Sequence, residues 1–194
     1  MAKYLFVVIG LTAAGMTASG QSRSDEVDAY RLALRAVVPI ERAEQPQRFA
    51  LHDSTINLGA RWRQLESEEL FKPLHPRTRA TYAKRETIED FLKVSASSRS
   101  LPRELHSLRE FFLVPSSVRL VDAQGRWSAF AQRNQLVPGS SVAVSRIGFD
   151  STRSQAFVYV SYVCGSLCGH EMFVLTERDS SGWHVLKVNR YGEY

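Results

Sequence analysis

The chain lacks most of the short motifs that announce an enzyme. It has no GxxxxGK[ST] and no GxGxxG, so neither glycine-rich phosphate cradle is present. There is no G-x-S-x-G nucleophile elbow, and His170-Glu171 is followed by Met172-Phe173-Val174 without a second histidine, so the HExxH zinc helix fails too. No unbroken Lys/Arg block and no basic face interleaved with aromatics occurs, which excludes the usual footprint of nucleic-acid binding. Cysteine is scarce: two in 194 residues. Paired CxxC zinc motifs are therefore excluded, and so is a disulfide-dense scaffold.

What is present is ordinary for one compact domain, with 44% hydrophobic and 23% charged residues. A chain of this size buries enough surface to hold a core without a metal or a staple. Lys3 precedes an uncharged stretch over 4–22 that is rich in Leu, Phe, Val, Ile and Ala and closes with small residues. Ala18 and Gly20 fit the minus-three and minus-one places of a cleavage site before Gln21, so residues 1–20 read as a signal peptide. The strongly apolar part is too short for the ~20 residues of a spanning helix, so no transmembrane segment is expected after cleavage. Removing 1–20 takes away one lysine and lowers the net charge from +5 to +4. That mild excess suits an anionic surface or an envelope protein as partner.

Residues 21–194 read as a single α+β domain, with a helical half over about 21–140 and a β-meander over about 142–190. Ser24 is a candidate N-cap, with Asp25 and Glu26 at the positive end of the helix dipole. Val27, Tyr30, Leu34 and Val37 then form one apolar face, ended by Pro39. The stretch 41–47 is a polar connector, and 47–53 looks like a short strand. Leu58, Trp62 and Leu65 predict a second helix, and the basic segment 72–85 a solvated surface. Thr87 is a candidate N-cap for a short helix through Ile88, Phe91 and Leu92, and Trp127 with Phe130 marks another brief one.

After residue 142, β-branched and aromatic residues crowd between turn signals, and a four-stranded antiparallel meander accounts for them. Its strands are predicted at 142–149, 155–163, 171–177 and 183–190. Phe157 and Tyr159 alternate with Val158 and Val160, so the second strand has no polar side and belongs inside a sheet.

Cys164 and Cys168 lie in the loop between the second and third predicted strands, flanked by Gly165 and Gly169. In an exported chain such a pair points to a disulfide. Closing about five residues contributes only about 2 kcal/mol in the chain-entropy account, so its role is to fix the loop rather than to hold the fold. Metal binding through Cys164, Cys168 and His170 is the sharper alternative, because thiolates and imidazole suit copper or zinc. No fourth ligand stands out among the remaining histidines. Arg146 and Tyr159, on neighbouring predicted strands, are the candidate binding residues, with ion pairing and core packing as the plainer readings.

Ser145-Arg146-Ile147-Gly148-Phe149, then Ala156-x-Val158-Tyr159-Val160, Cys164-Gly165-x-Leu167-Cys168-Gly169 and Gly182-Trp183 resemble the C-terminal signature of a family of exported bacterial proteins without an assigned function. The resemblance implies an envelope or secreted protein, periplasmic or extracellular, and no particular reaction or cofactor. It departs from this chain at His170, where the family carries glycine or an acid. The expected function is thus a non-enzymatic binding or interaction module with a structural disulfide. Metal binding by the CxxxCxH loop and a hydrolase site assembled from distant residues stay as alternatives. Protein recovered through export is expected to start at Gln21, to weigh two hydrogens less than its reduced form, and to resist alkylation after denaturation. Two alkylatable cysteines carrying about one metal per chain would instead make the loop a metal centre.

Overall fold

A computed structural model describes residues 14–39, 48–59, 83–122, 124–165 and 167–193. The expected helix through Trp62 and Leu65, the connector 41–47, the apolar run before residue 14 and most of the basic segment 72–85 lie outside the described residues.

Helix α1 spans Ala14–Val37. It buries Val27, Tyr30 and Leu34, the face expected from their spacing, together with Ala29 and Ala33. Ser24 is not its N-cap, because the helix already runs through that position. Asp25 accordingly does not serve the helix dipole. It is 4% exposed and accepts hydrogen bonds from Arg178 Nη1 at 2.6 Å and Trp183 Nε1 at 3.3 Å.

The strands described are β1 (Phe49–His52), β2 (Phe111–Val114), β3 (Ser140–Val144), β4 (Gly148–Phe149), β5 (Gln155–Gly165), β6 (Cys168–Asp179) and β7 (Gly182–Glu193). They form one seven-stranded sheet in the order β2-β1-β3-β5-β6-β7, with β4 also pairing β5. This overturns the expected fold of N-terminal helices packed on a four-stranded antiparallel meander. The sheet is mixed, because β1 runs parallel to both β2 and β3, while β3, β5, β6 and β7 pair antiparallel. The strand expected at 47–53 is β1, but β1 and β2 are four residues each and largely apolar on both parities, which leaves their parallel partners unreadable from local pattern. They pair Phe49 with Phe111 and Leu51 with Leu113, and extend the sheet beyond β3.

The predicted strand 142–149 is also broken in two. After Val144 the Ser145 side chain accepts the Tyr159 N–H at 2.9 Å and donates to the Arg146 carbonyl at 2.8 Å, which takes the chain out of the regular ladder before β4 resumes pairing at Gly148.

The two faces of β5 are covered by different elements. Ala156, Val158, Val160 and Tyr162 pack with the α1 residues Tyr30, Ala33 and Leu34. Phe157 and Tyr159 pack on the other side with Phe173, Leu175 and Phe91 from helix α2 (Arg85–Val94). The Phe157 and Phe173 rings stack at 5.2 Å, and Phe91 meets Phe157 edge-on at 5.0 Å. A third cluster under β1 and β2 includes Ala131 of the short helix α3 (Ala129–Arg133), whose N-cap Ser128 accepts the Ala131 N–H.

Gly148 is where α2 meets the sheet. A Cβ there would fall 2.3 Å from the Phe91 backbone nitrogen, so the position admits only glycine without moving the helix. Gly148→Ala is expected to cost about 3 kcal/mol, as a lower urea midpoint at unchanged slope. A change below about 0.5 kcal/mol would show that α2 can shift without loss.

Candidate functional site

Beyond the C-terminal end of α1, the described residues line a cleft of about 1040 Å³ on its face of the sheet. The sheet register builds its floor. Tyr162 of β5 pairs with His170 of β6, Met172 pairs with Arg190 of β7, and Val174 with Val188. Tyr162, His170, Met172, Val188 and Arg190 all line the cleft. Residues 35–39 at the end of α1, together with Glu110, form the wall.

The wall contains an ion pair, Arg35 Nη2 to Glu110 Oε1 at 2.8 Å. The Glu110 carboxyl is held below the usual carboxylate range, first by its own backbone N–H and then by Arg35, against the opposite pull of burial. Burial raises the Tyr162 hydroxyl, which stays protonated through the physiological range. The cleft thus joins apolar surface from Val37, Val38, Met172 and Val188 to the side chains of two arginines, one glutamate and one histidine. An arrangement of that kind can bind a small amphipathic molecule.

The β5–β6 hairpin carries the cysteines at one end of this floor. Cys164 and Cys168 lie at disulfide distance, with Cα atoms 5.0 Å apart. Cys164, Cys168 and His170 offer ligand atoms that all lie within 4.8 Å of one another. Leu167 at the hairpin tip is 91% exposed.

The other two candidates do not join the cleft. Tyr159 is 3% exposed and packs edge-on against Phe173 at 5.5 Å in the α2-side core. Arg146 Nη1 donates to Ser97 Oγ at 2.8 Å, just past the end of α2. Sequence reasoning did not single out Tyr162, Met172, Val188, Arg190, Arg35 or Glu110. The alternation along β5 and β6 could have placed Tyr162, His170 and Met172 on one face. The end of α1 was marked by Pro39, but which sheet residues it stops above has no sequence signal.

A second polar cluster sits at the β4–β5 turn. Asp150 is 4% exposed and accepts from Lys84 Nζ, Thr152 Oγ1, Ser154 N and Gln155 N, each at 2.7 Å. Lys84 Nζ and Ser154 Oγ are also 2.7 Å apart. A serine beside a lysine invites comparison with hydrolytic dyads. Here, however, the lysine nitrogen is ion-paired and donating, and the hydroxyl donates to a carboxylate already surrounded by donors. Neither group is set up to take a proton, so the cluster fixes a turn. Comparison with protein-family models, curated proteins and solved structures gives no match.

Burial alone would raise the Asp150 carboxyl, but hydrogen bonds from Lys84, Thr152, Gln155 and Ser154 outweigh it and hold it far below the usual range. A depressed folded-state value gives stability that is fully present above the unfolded value near 4 and is lost as pH falls further. Asp150→Asn should therefore cost about 3 kcal/mol at pH 7, and the difference from the parent should shrink below about pH 4. Thermal unfolding followed from pH 7 to pH 2 checks this. A difference constant across that range would mean that the carboxylate is not ionised in the fold.

Proposed function

We propose that this chain is an exported bacterial binding module, not an enzyme, and that its ligand occupies the cleft between the end of α1 and the β5–β7 floor. The observation that carries the reading is that floor: five same-face side chains on three adjacent strands line one cleft where the helix ends, with Tyr162 and Met172 buried at its base and Val188 and Arg190 exposed at its edge. The apolar share of the lining and its two arginines favour a small amphipathic molecule with an anionic head group. Export is supported by the charge and apolar pattern of residues 1–20 and by the disulfide distance between the two cysteines. None of the described helices is long and apolar enough to cross a membrane. In this reading a Cys164–Cys168 bond holds the hairpin in one conformation at the end of the cleft.

Calorimetric titration with a medium-chain carboxylate such as decanoate tests the site. Binding in the micromolar range is expected, weakened at least tenfold by Met172→Trp, which fills the floor, and by Arg190→Gln, which removes a cation; tenfold corresponds to about 1.4 kcal/mol. Equal affinity in the parent and in Met172→Trp would place the ligand elsewhere and sink the proposal.

A further inference from the structure

We propose that Cys164, Cys168 and His170 form a redox-gated site for monovalent copper, closed while the cysteines are bonded and opened when a dithiol reductant cleaves that bond. The gate rests on the cysteine bond proposed above. It is independent of what occupies the cleft.

Three observations carry it. The two sulfurs and an imidazole nitrogen lie within 4.8 Å of one another, so small side-chain rotations suffice to bring all three onto one ion. Their positions do not depend on the sulfur–sulfur bond alone. Cys164 is held in register with Ser140 of β3, while Cys168 pairs with Gly165 and His170 with Tyr162 in the β5–β6 ladder. Cutting the bond therefore leaves both thiols on a backbone that is already anchored. Finally, neither cysteine is fully buried, so a small reductant and a metal chelate can reach them.

The donor set selects the ion. Two thiolates and one imidazole are soft to borderline ligands, which suit monovalent copper and zinc. Structural zinc takes four protein ligands in a tetrahedron, whereas monovalent copper is content with two or three. Three donors in one hairpin thus match copper(I) without recruiting a further side chain.

The chemistry balances. A dithiol transfers two electrons and two protons to the Cys164–Cys168 bond, which breaks to two thiols as the reductant closes to its own disulfide. Copper(I) then displaces both thiol protons to solvent as the two sulfur–metal bonds form, and the neutral imidazole supplies the third. Because His170 also lines the cleft, loading the hairpin ties one floor residue to the metal.

The test uses the full chain in two states: as isolated, and after anaerobic reduction with a phosphine that is then removed. Copper(I) is presented in competition with a chromophoric chelator. About one equivalent should transfer to the reduced chain and none to the oxidised one, with transfer lost in Cys168→Ser. His170→Gln keeps both cysteines and the fold, and is expected to weaken binding at least tenfold. Uptake by the oxidised chain, no uptake by the reduced chain, or unchanged affinity in His170→Gln would each overturn the proposal. So would loss of the far-ultraviolet circular dichroism on reduction, since the site presupposes an intact sheet. Mass spectrometry reads the bond and the decanoate titration reads the cleft, so failure of either earlier reading is distinguishable from failure of this one.

Discussion

Strand β5 has no hydrophilic face along most of its length, and the rest of the molecule is arranged to cover it twice. Residues 155–160 are all buried. Each large apolar side chain there contributes about 1.5–3 kcal/mol only if both sides are kept from water. α1 covers one side and α2 the other, while β3, β4 and β6 satisfy the strand's edges. Remove either helix and a whole row of β5, with its neighbours on β6, is returned to solvent.

Apolar cover alone would leave the helices free to slide, and buried polar contacts fix their place. The Tyr30 hydroxyl, in the middle of the α1 face, donates to the Ser145 carbonyl at 3.0 Å, at the break between β3 and β4. Asp25 ties the same helix to Arg178 of β6 and Trp183 of β7. On the other side, Asp90 of α2 accepts the Phe149 N–H at 2.9 Å beside the Gly148 contact, and Thr87 reaches Gln155 at 3.1 Å. The magnitudes separate these from the surface pairs. Exposed pairs such as Arg85 with Glu89 contribute at most about 1 kcal/mol, whereas removing one partner of a buried charged contact costs about 3–5.

These contacts also explain what could be read from residues alone. The two-sided burial of β5 was legible because Phe157 and Tyr159 alternate with Val158 and Val160, and the apolar face of α1 was legible from its spacing. The turn at 150–154 and the closeness of the two cysteines follow from local residue types. A strand at 47–53 was legible and β1 lies within it, but its parallel pairing with β2 and β3 was not, since its partners lie far along the chain. Asp25 misled for a related reason. An acid near an apparent helix start looks like a dipole partner, and only the tertiary fold shows it facing two arginines and an indole. Most of the residues that carry the family resemblance prove to be structural. Ser145 bonds the Tyr159 backbone, Gly148 admits Phe91, and Phe149 meets Trp183 edge-on at 6.2 Å.

The cleft and the hairpin are consequences of the same geometry. α1 ends at Val37, while β5 and β6 continue beyond it to the hairpin at 164–168. Residues of the α1-facing parity line the cleft there, Tyr162 and Met172 buried at its base with His170, Val188 and Arg190 beside them. This end of the sheet gains less packing per residue than the part under the helix, although β3 flanks β5 as far as Cys164 and β7 flanks β6 as far as His170. The cysteine bond proposed above would hold the hairpin tip at the one end where α1 gives no support. A ring closed by Cys164 and Cys168, as proposed, would be poorly placed to stabilise the whole fold and well placed to keep the cleft floor in register.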